Sequence, residues 1–402
     1  MSTGVLSFVK GIDLSSNDFS GDRFPNEVVA MTQATWLKLN KTQLERVPDV
    51  LSNLKNLEHL QMINNKLQNV HGELSDLPLL RSVVVRKNQI KTSGVPTDIF
   101  RMKDLTIIDF GDNLLRDVPS NLEYAKCAIV LNLRGNNIQN IPNQIFSNLI
   151  DLIYLDLSNN NLDSLPPQLR RLTSLQIFSN LIDLIYLDLS NNNLDSLPPQ
   201  LRRLTSLQVL KLSNNPLTHF QFKQAPGSNK LRVIELKNTH RNLQNLTLNF
   251  EEVQNLQELN LAMNELTKIP ESIFSLKNLR KLDLSFNKLT KLDFVEGTWP
   301  NLETFNLSGN DLEALPSQII ACVKLQRLYA NYNKLNFEGL PAGFGKLMQL
   351  QVLFLSHNNL ELIPEGVGRC VKLRKLKLDN NRLITLPEGI HLLPDLKELD
   401  LR

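Results

Sequence analysis

Six histidines (His59, His71, His219, His240, His357, His391) and three cysteines (Cys127, Cys322, Cys370) are the first residues of this 402-residue chain to test for chemistry. A zinc site needs Cys or His ligands at short, paired spacings. Here the histidines fall in separate stretches without metal spacing, and C-x-x-C is absent. Neither H-E-x-x-H nor G-x-S-x-G occurs. The Gly345-Lys346 pair in PAGFGKLM has no glycine five residues before Gly345 and has Leu347 where a phosphate loop requires Ser or Thr. Asp109, Asp156, Asp188, Glu258, Asp283 and Glu303 are scattered, and are expected to be solvated surface rather than a catalytic pair. The cysteines each fall shortly before a strand motif and are expected to be buried, inert thiols. These residues lead us to expect no enzyme, no cofactor and no bound metal.

What remains is non-covalent recognition. Two groups of side chains stand out. The first is basic with one aromatic: Trp36, Lys38 and Lys41, then His59, then Arg81, Arg86 and Lys87. The second is aromatic: Phe286, Tyr329, Tyr332, Phe354 and His357. Aromatic side chains facing water are common anchors for a protein partner. The competing explanation is lateral packing between neighbouring strands. Tyr154 and Tyr186 would belong with them, but they are copies of one another.

Positioning these groups requires a frame, and the chain supplies one. The pattern L-x-x-L-x-L-x-x-N-x-L starts 17 times between Val9 and Leu396, and 15 of the 16 intervals are 23 to 25 residues. This is the leucine-rich repeat. Alternation in x-L-x-L-x sends the leucines to one side and the variable residues to the other. Stacked repeats then form a parallel sheet whose leucines fill a core that no single repeat could bury. The fold class is therefore α/β: a leucine-rich-repeat solenoid, or horseshoe, with a parallel concave sheet and short 3₁₀, extended or helical convex segments. Both candidate groups fall on variable positions and are placed on the concave face.

The ninth position is Asn in 14 of the 16 complete frames. Its amide both donates and accepts, and can satisfy a turn that stacking buries. Thr42 and Thr239 are the exceptions, and local irregularity is expected there. Later in the repeat, Val47-Pro48, Val118-Pro119, Ile269-Pro270, Leu315-Pro316 and similar pairs recur. Proline removes an N–H and disfavours helix at the residue before it, so long helices are not expected.

Residues 1–31 read as an N-terminal cap with an irregular first frame, 32–395 as the repeats, and 396–402 as a last frame cut short at Arg402. The chain is expected to be part of something longer. One interval, from Leu152 to Leu184, is 32 residues, because residues 145–176 recur identically at 177–208. A longer convex excursion is expected around Gln176 to Asp183, with the concave sheet continuing or locally offset.

Composition sets the remaining limits. With 44 Lys plus Arg against 41 Asp plus Glu, the formal charge is +3, which gives no reason to expect nucleic acid. No apolar run approaches 18 residues, so no membrane insertion is expected, and MSTGVLSFVK does not read as a signal peptide. A cytoplasmic or nuclear location is expected.

Several segments carry a more specific resemblance. FVKGIDLSSNDFSGDRFP (Phe8 to Pro25), IVLNLRGNNIQNIPNQIF (Ile129 to Phe146), KLNFEGLPAGFGKL (Lys334 to Leu347) and NRLITLPEGIHLLPDLKELDLR (Asn381 to Arg402) resemble the leucine-rich region of flightless proteins. That resemblance implies gelsolin-like domains beyond these repeats, which bind and remodel actin, and a role as a nuclear-receptor coactivator. It implies Ras-type GTPases and coiled-coil proteins as partners of the repeats, and a cytoskeletal as well as nuclear location. Actin would be reached only through domains these 402 residues do not contain. The alternative is a stand-alone leucine-rich-repeat scaffold that regulates a Ras-pathway GTPase or phosphatase.

Overall fold

The computed structural model describes residues 5–70, 73–142, 145–146, 148–165, 181–218, 230–239, 250–337 and 339–402. The chain packs as two compact units, residues 1–207 and 208–402. In the first unit, β1 (Gly11–Asp13), β2 (Trp36–Lys38), β3 (His59–Gln61), β4 (Ser82–Val84), β5 (Ile107–Asp109), β6 (Val130–Asn132), β7 (Tyr154–Asp156) and β8 (Tyr186–Asp188) pair in chain order, all parallel. In the second, β9 (Val209–Lys211), β10 (Val233–Glu235), β11 (Glu258–Asn260), β12 (Lys281–Asp283), β13 (Thr304–Asn306), β14 (Arg327–Tyr329), β15 (Val352–Phe354), β16 (Lys375–Lys377) and β17 (Glu398–Asp400) do the same. Each unit is a leucine-rich-repeat solenoid.

The strands are three residues long because only one residue per strand must point inward. That residue pairs with its equivalent in the next repeat: Leu282 with Phe305, Phe305 with Leu328, Leu328 with Leu353. All four are at most 1% exposed. The residues on either side share the solvent face. A slip of one residue would turn the whole set over, so the leucines fix the register.

The proline positions start the opposite layer. The 3₁₀ turns Asp49–Asn53, Ser120–Tyr124, Glu271–Ser275, Ser317–Ala321, Ala342–Lys346, Glu365–Arg369 and Glu388–Leu392 each follow a proline. Its carbonyl accepts the N–H three residues on, as from Leu51 to Pro48 and from Ile319 to Pro316, both at 3.1 Å. The expectation of short convex pieces therefore holds. Gly366 lets two turns meet backbone to backbone. A Cβ there would lie 2.8 Å from the Gly345 nitrogen and 2.9 Å from the Ala342 carbonyl oxygen. Between Lys291 and Asn301 an aromatic plug stands where other repeats have a turn. Trp299 is 1% exposed, packs on Phe274, Phe294 and Phe305, and donates its indole N–H to the Ile273 carbonyl at 3.1 Å.

The buried asparagines tie the stack together. Asn287 donates to the Leu284 carbonyl of its own turn at 2.9 Å and to the Leu261 carbonyl of the preceding repeat at 3.0 Å. Its Oδ1 accepts from the Leu266 N–H at 3.0 Å. Thr42 makes only part of this set. Its hydroxyl reaches the Leu39 carbonyl at 2.9 Å, and its N–H donates to Asn65. A second left-handed residue follows, Gln43 at φ 61°, but Glu265 after Asn264 has the same at φ 60°, so the threonine brings no irregularity of its own. Thr239 repeats the hydroxyl contact, to the Leu236 carbonyl at 3.1 Å, but residues 240–249 lie outside the described residues.

Across the long interval β7 and β8 pair in register, Tyr154 with Tyr186 and Asp156 with Asp188, so the sheet continues without an offset. The excursion expected at Gln176 to Asp183 falls mostly outside the described residues. Cys322 and Cys370 are buried, and burial pushes both thiols up to about 11. Cys127 departs from expectation, because it is exposed.

Asn287→Ala removes one acceptor and two donors from a buried site and leaves their backbone partners unpaired. We expect a loss of about 1–3 kcal/mol in urea unfolding, larger than for an alanine at any exposed variable position of the same repeat.

Candidate functional site

The eighth position of the frame has one backbone conformation throughout. In every complete frame, from Ser16 to Asn380, this residue is left-handed, with φ between 52° and 67°. Asn, Asp or Gly fills it in most repeats: Asn64, Asp112, Gly135, Asn159, Asn191, Asn214, Asn238, Gly309 and Asn380. Those residues tolerate the conformation. Lys41, Lys87, Met263, Phe286 and Tyr332 do not share that tolerance, and an ordinary L-residue there costs roughly 1–2 kcal/mol. His357 also occupies this seat.

This column splits the predicted aromatic group. Tyr329 and Phe354 lie on the strands, directly paired across β14 and β15, with rings edge to face at 5.3 Å. Lys377 stands over the Phe354 ring at 5.1 Å and also contacts Glu398 at 3.1 Å. Tyr332 and His357 lie in the turn column, with rings stacked at 4.2 Å and nearly parallel. His357 Nε2 is 3.4 Å from the Asn380 amide nitrogen and 3.9 Å from Asp379. Phe286 is two repeats before Tyr332, in the same turn column, and belongs to neither ring pair. Its ring leans over Gly309, where a Cβ would lie 2.5 Å away. Phe286 is 55% exposed and Tyr332 is 56% exposed.

The basic group is more compensated than its composition suggests. Arg81 is 3.6 Å from Glu58. Lys38 stands over Trp36 at 5.3 Å and helps, after the Ser15 hydrogen bonds, to hold Asp13 below the usual carboxylate range. Arg86 faces Asp109 electrostatically. Lys87 occupies a left-handed seat in the turn column. Trp36 is 38% exposed and lies flat across Gly11, where a Cβ would sit 2.1 Å from the indole. The seat for that aromatic is the missing side chain of the preceding repeat.

Of the six acids expected to be solvated, Glu258 and Glu303 sit at the surface in ion pairs with Lys281 and Arg280, and the aspartates have a different role. Asp109, Asp156 and Asp188 are at most 9% exposed. Each accepts the N–H two residues on, from Gly111, Ser158 and Ser190. Asn132, Asn260 and Asn306 do the same from equivalent positions. Burial raises the carboxyls of Asp109 and Asp156 above the usual range. The copied tyrosines stack at 4.4 Å, and each hydroxyl faces the aspartate two residues on. Among the described residues no group of His, Cys, Asp and Glu is placed to hold a metal, and no helix is long and apolar enough to cross a membrane.

Comparison with known proteins agrees with this construction. Models described as leucine-rich repeats match residues 130–182, 175–217, 254–297, 277–317 and 349–370. The protein flightless-1 homolog of Caenorhabditis elegans is 59% identical over 360 residues, which is 90% of this chain and 26% of that protein. The chain belongs to the flightless family. The human flightless-1 homolog is 47% identical over 271 residues, covering 67% of this chain and 19% of that protein. The chain thus spans about a quarter or less of the length of these flightless relatives. A solved leucine-rich repeat protein of Leptospira interrogans superposes with a TM-score of 0.74 at 27% identity, covering 97% of this chain and 89% of that one. The flightless repeats are a protein-interaction module, not an enzyme.

Two outcomes follow from the geometry. Gly11→Ala should lift Trp36 off its seat. Acrylamide should then quench that tryptophan more efficiently, with the buried Trp299 unaffected. Asp109 and Asp156 carry raised folded-state values, so the unfolded chain releases those protons first as pH rises. Their favourable contribution is present below the unfolded aspartate value of about 3.9 and is lost as pH climbs through the folded values. Asp156→Asn keeps an acceptor for the Ser158 N–H. It should flatten that decline in denaturant titrations run across the acidic range.

Proposed function

We propose that this chain is the partner-capturing module of a flightless-type actin-remodelling and transcription-coactivator protein. In this reading it takes a Ras-type GTPase or a coiled-coil protein on the solvent face of its sheet. Residues 1–31 serve as its cap, and actin is engaged only by gelsolin-like domains outside these repeats. It works in the cytoplasm at the cytoskeleton and in the nucleus. The observation that carries the reading is the aromatic column of the second unit. Phe286 and Tyr332 are more than half exposed while held in left-handed backbone. The turn imposes that backbone on every repeat, so what marks these two is a large exposed ring where Asn or Gly would be more stable.

Tyr329, Phe354, Tyr332, His357 and Phe286 are the anchors in this reading. Trp36, Lys38, Arg81, Arg86 and Lys87 form a secondary contact area in the first unit. That area is weaker, because Arg81 and Arg86 already face carboxylates.

The test is Tyr329→Ala combined with Phe354→Ala. Removing two anchors of an interface costs at least tenfold in affinity. Titration calorimetry with GTP-loaded Ras and with a purified coiled-coil partner should show that loss, with the circular dichroism and melting curve of the double variant close to wild type. Unchanged affinity for both partners would remove the aromatic face from the proposal.

A further inference from the structure

Two lysines on the first solvent-facing position of second-unit strands are paired across the sheet, and Arg327 in the same position is not. On the first solvent-facing position of each strand, Lys281 takes Glu258 at 2.6 Å and Lys375 takes Glu398 at 2.8 Å. In both cases the carboxylate comes from the residue directly paired on the neighbouring strand. Arg327 occupies the same position on β14, and it pairs with Thr304 on one side and Val352 on the other. Neither is charged. Among the described residues the Arg327 side chain makes no ion pair or hydrogen bond, and the residue is exposed. A guanidinium offers five fixed donors and stays charged at any physiological pH.

A second feature lies beside it, one that β14 shares with the strands of Val84 and Lys377. Where the second solvent-facing position is Asp or Asn, that side chain accepts the N–H two residues on, as Asn306 does from Ser308 at 3.1 Å. On β14 this position is Tyr329, which has no such acceptor to offer. The Asn331 N–H is left without an acceptor among the described residues, and the Asn331 side chain gives its oxygen to the Ser356 N–H at 2.8 Å. Its Nδ2 has no acceptor there either. Arg327 and Asn331 therefore bracket the Tyr329–Phe354 ring pair with donors only. An interface leaves such groups satisfied, because an unmet buried donor costs affinity.

We infer that this face takes a protein segment presenting a carboxylate beside an apolar side chain. The carboxylate is received by Arg327, with Asn331 as a further donor, and the apolar side chain packs against Tyr329 and Phe354. This rests on the reading that the aromatic face captures a partner, and adds the partner's chemistry. The match is by charge and hydrogen-bond type: the face supplies positive charge and donors, so the partner supplies negative charge and acceptors.

The probe is a phage-displayed library of random 12-residue peptides, selected on the whole chain. Enriched sequences should carry Asp or Glu within three residues of an aromatic or leucine. A synthetic peptide from that set should bind Arg327→Glu at least tenfold more weakly. Changing its acid to lysine should restore binding to Arg327→Glu and abolish binding to wild type. Affinity within twofold of wild type for Arg327→Glu overturns the inference. If Tyr329→Ala with Phe354→Ala still abolishes binding in that case, capture by the aromatic face stands and only the acidic partner falls. If the aromatic double variant also binds normally, both fall. A selection that enriches no acidic sequence counts against the inference in the same way.

Discussion

In most interior repeats the amide of the ninth-position asparagine bonds both to its own turn and to the turn before it, and the placement of the exposed side chains depends on that double attachment. Asn287 joins Leu284 to Leu261, and Asn310 joins Leu307 to Leu284, each through one donor group. The distance between repeats is thereby fixed at the turn, not left to the leucines, whose packing is adaptable. With the turn fixed, the residue before the asparagine has no conformational choice and is left-handed in every repeat. The strand residues before it are then delivered in register, so each variable position forms a column running from repeat to repeat. Side chains in one column meet each other, and side chains in different columns need not.

This column logic explains which parts of the molecule were legible in the sequence. The leucine spacing located the strands, and the L-P pairs located the short turns behind them, because both depend on neighbours within a single repeat. The left-handed column was equally open to reading. Asn, Asp and Gly at position after position of the eighth column are the composition that a positive φ selects. Treating Phe286, Tyr332 and His357 as strand positions missed it, and so merged two ladders into one cluster. The charge pairing required comparison between repeats. Glu58 and Arg81 occupy the same position in successive frames, as do Lys281 and Glu258, so their contacts emerge only when frames are aligned beneath one another. The apparent basic surface of the first unit followed from counting cations along the chain instead of down a column.

The aspartates mark a limit of another kind. A carboxylate on a solvent-facing position reads as surface, and nothing in its own neighbourhood says otherwise. Asp156 is nevertheless almost fully covered, because the strands beside it carry side chains of similar length and its own turn presents an N–H to it. Asparagine performs the same service at positions 132, 260 and 306. The alternation of Asp and Asn in one column is thus a signature of local backbone capping. It argues against reading these acids as a reactive pair. The duplication makes the point sharply, since copying the segment placed Asp156 directly against Asp188 and the fold accommodated both.

Once structural needs are assigned column by column, what is left over gains meaning. An asparagine in the ninth position, an aspartate accepting a turn N–H, or a lysine held by the carboxylate of the next strand is accounted for by the repeat itself. Tyr329 is not, because it replaces a capping acceptor with a ring. Phe286 and Tyr332 are not, because the turn would be more stable with asparagine or glycine. Arg327 is not, because its column provides carboxylates to Lys281 and Lys375 and none to it. Tyr329, Tyr332 and Arg327 meet in one repeat of the second unit, although a strained eighth position also occurs at Lys41 and Lys87 in the first. A partner that packs on the exposed rings and pairs with the guanidinium would draw its affinity from the groups that the repeat itself does not use.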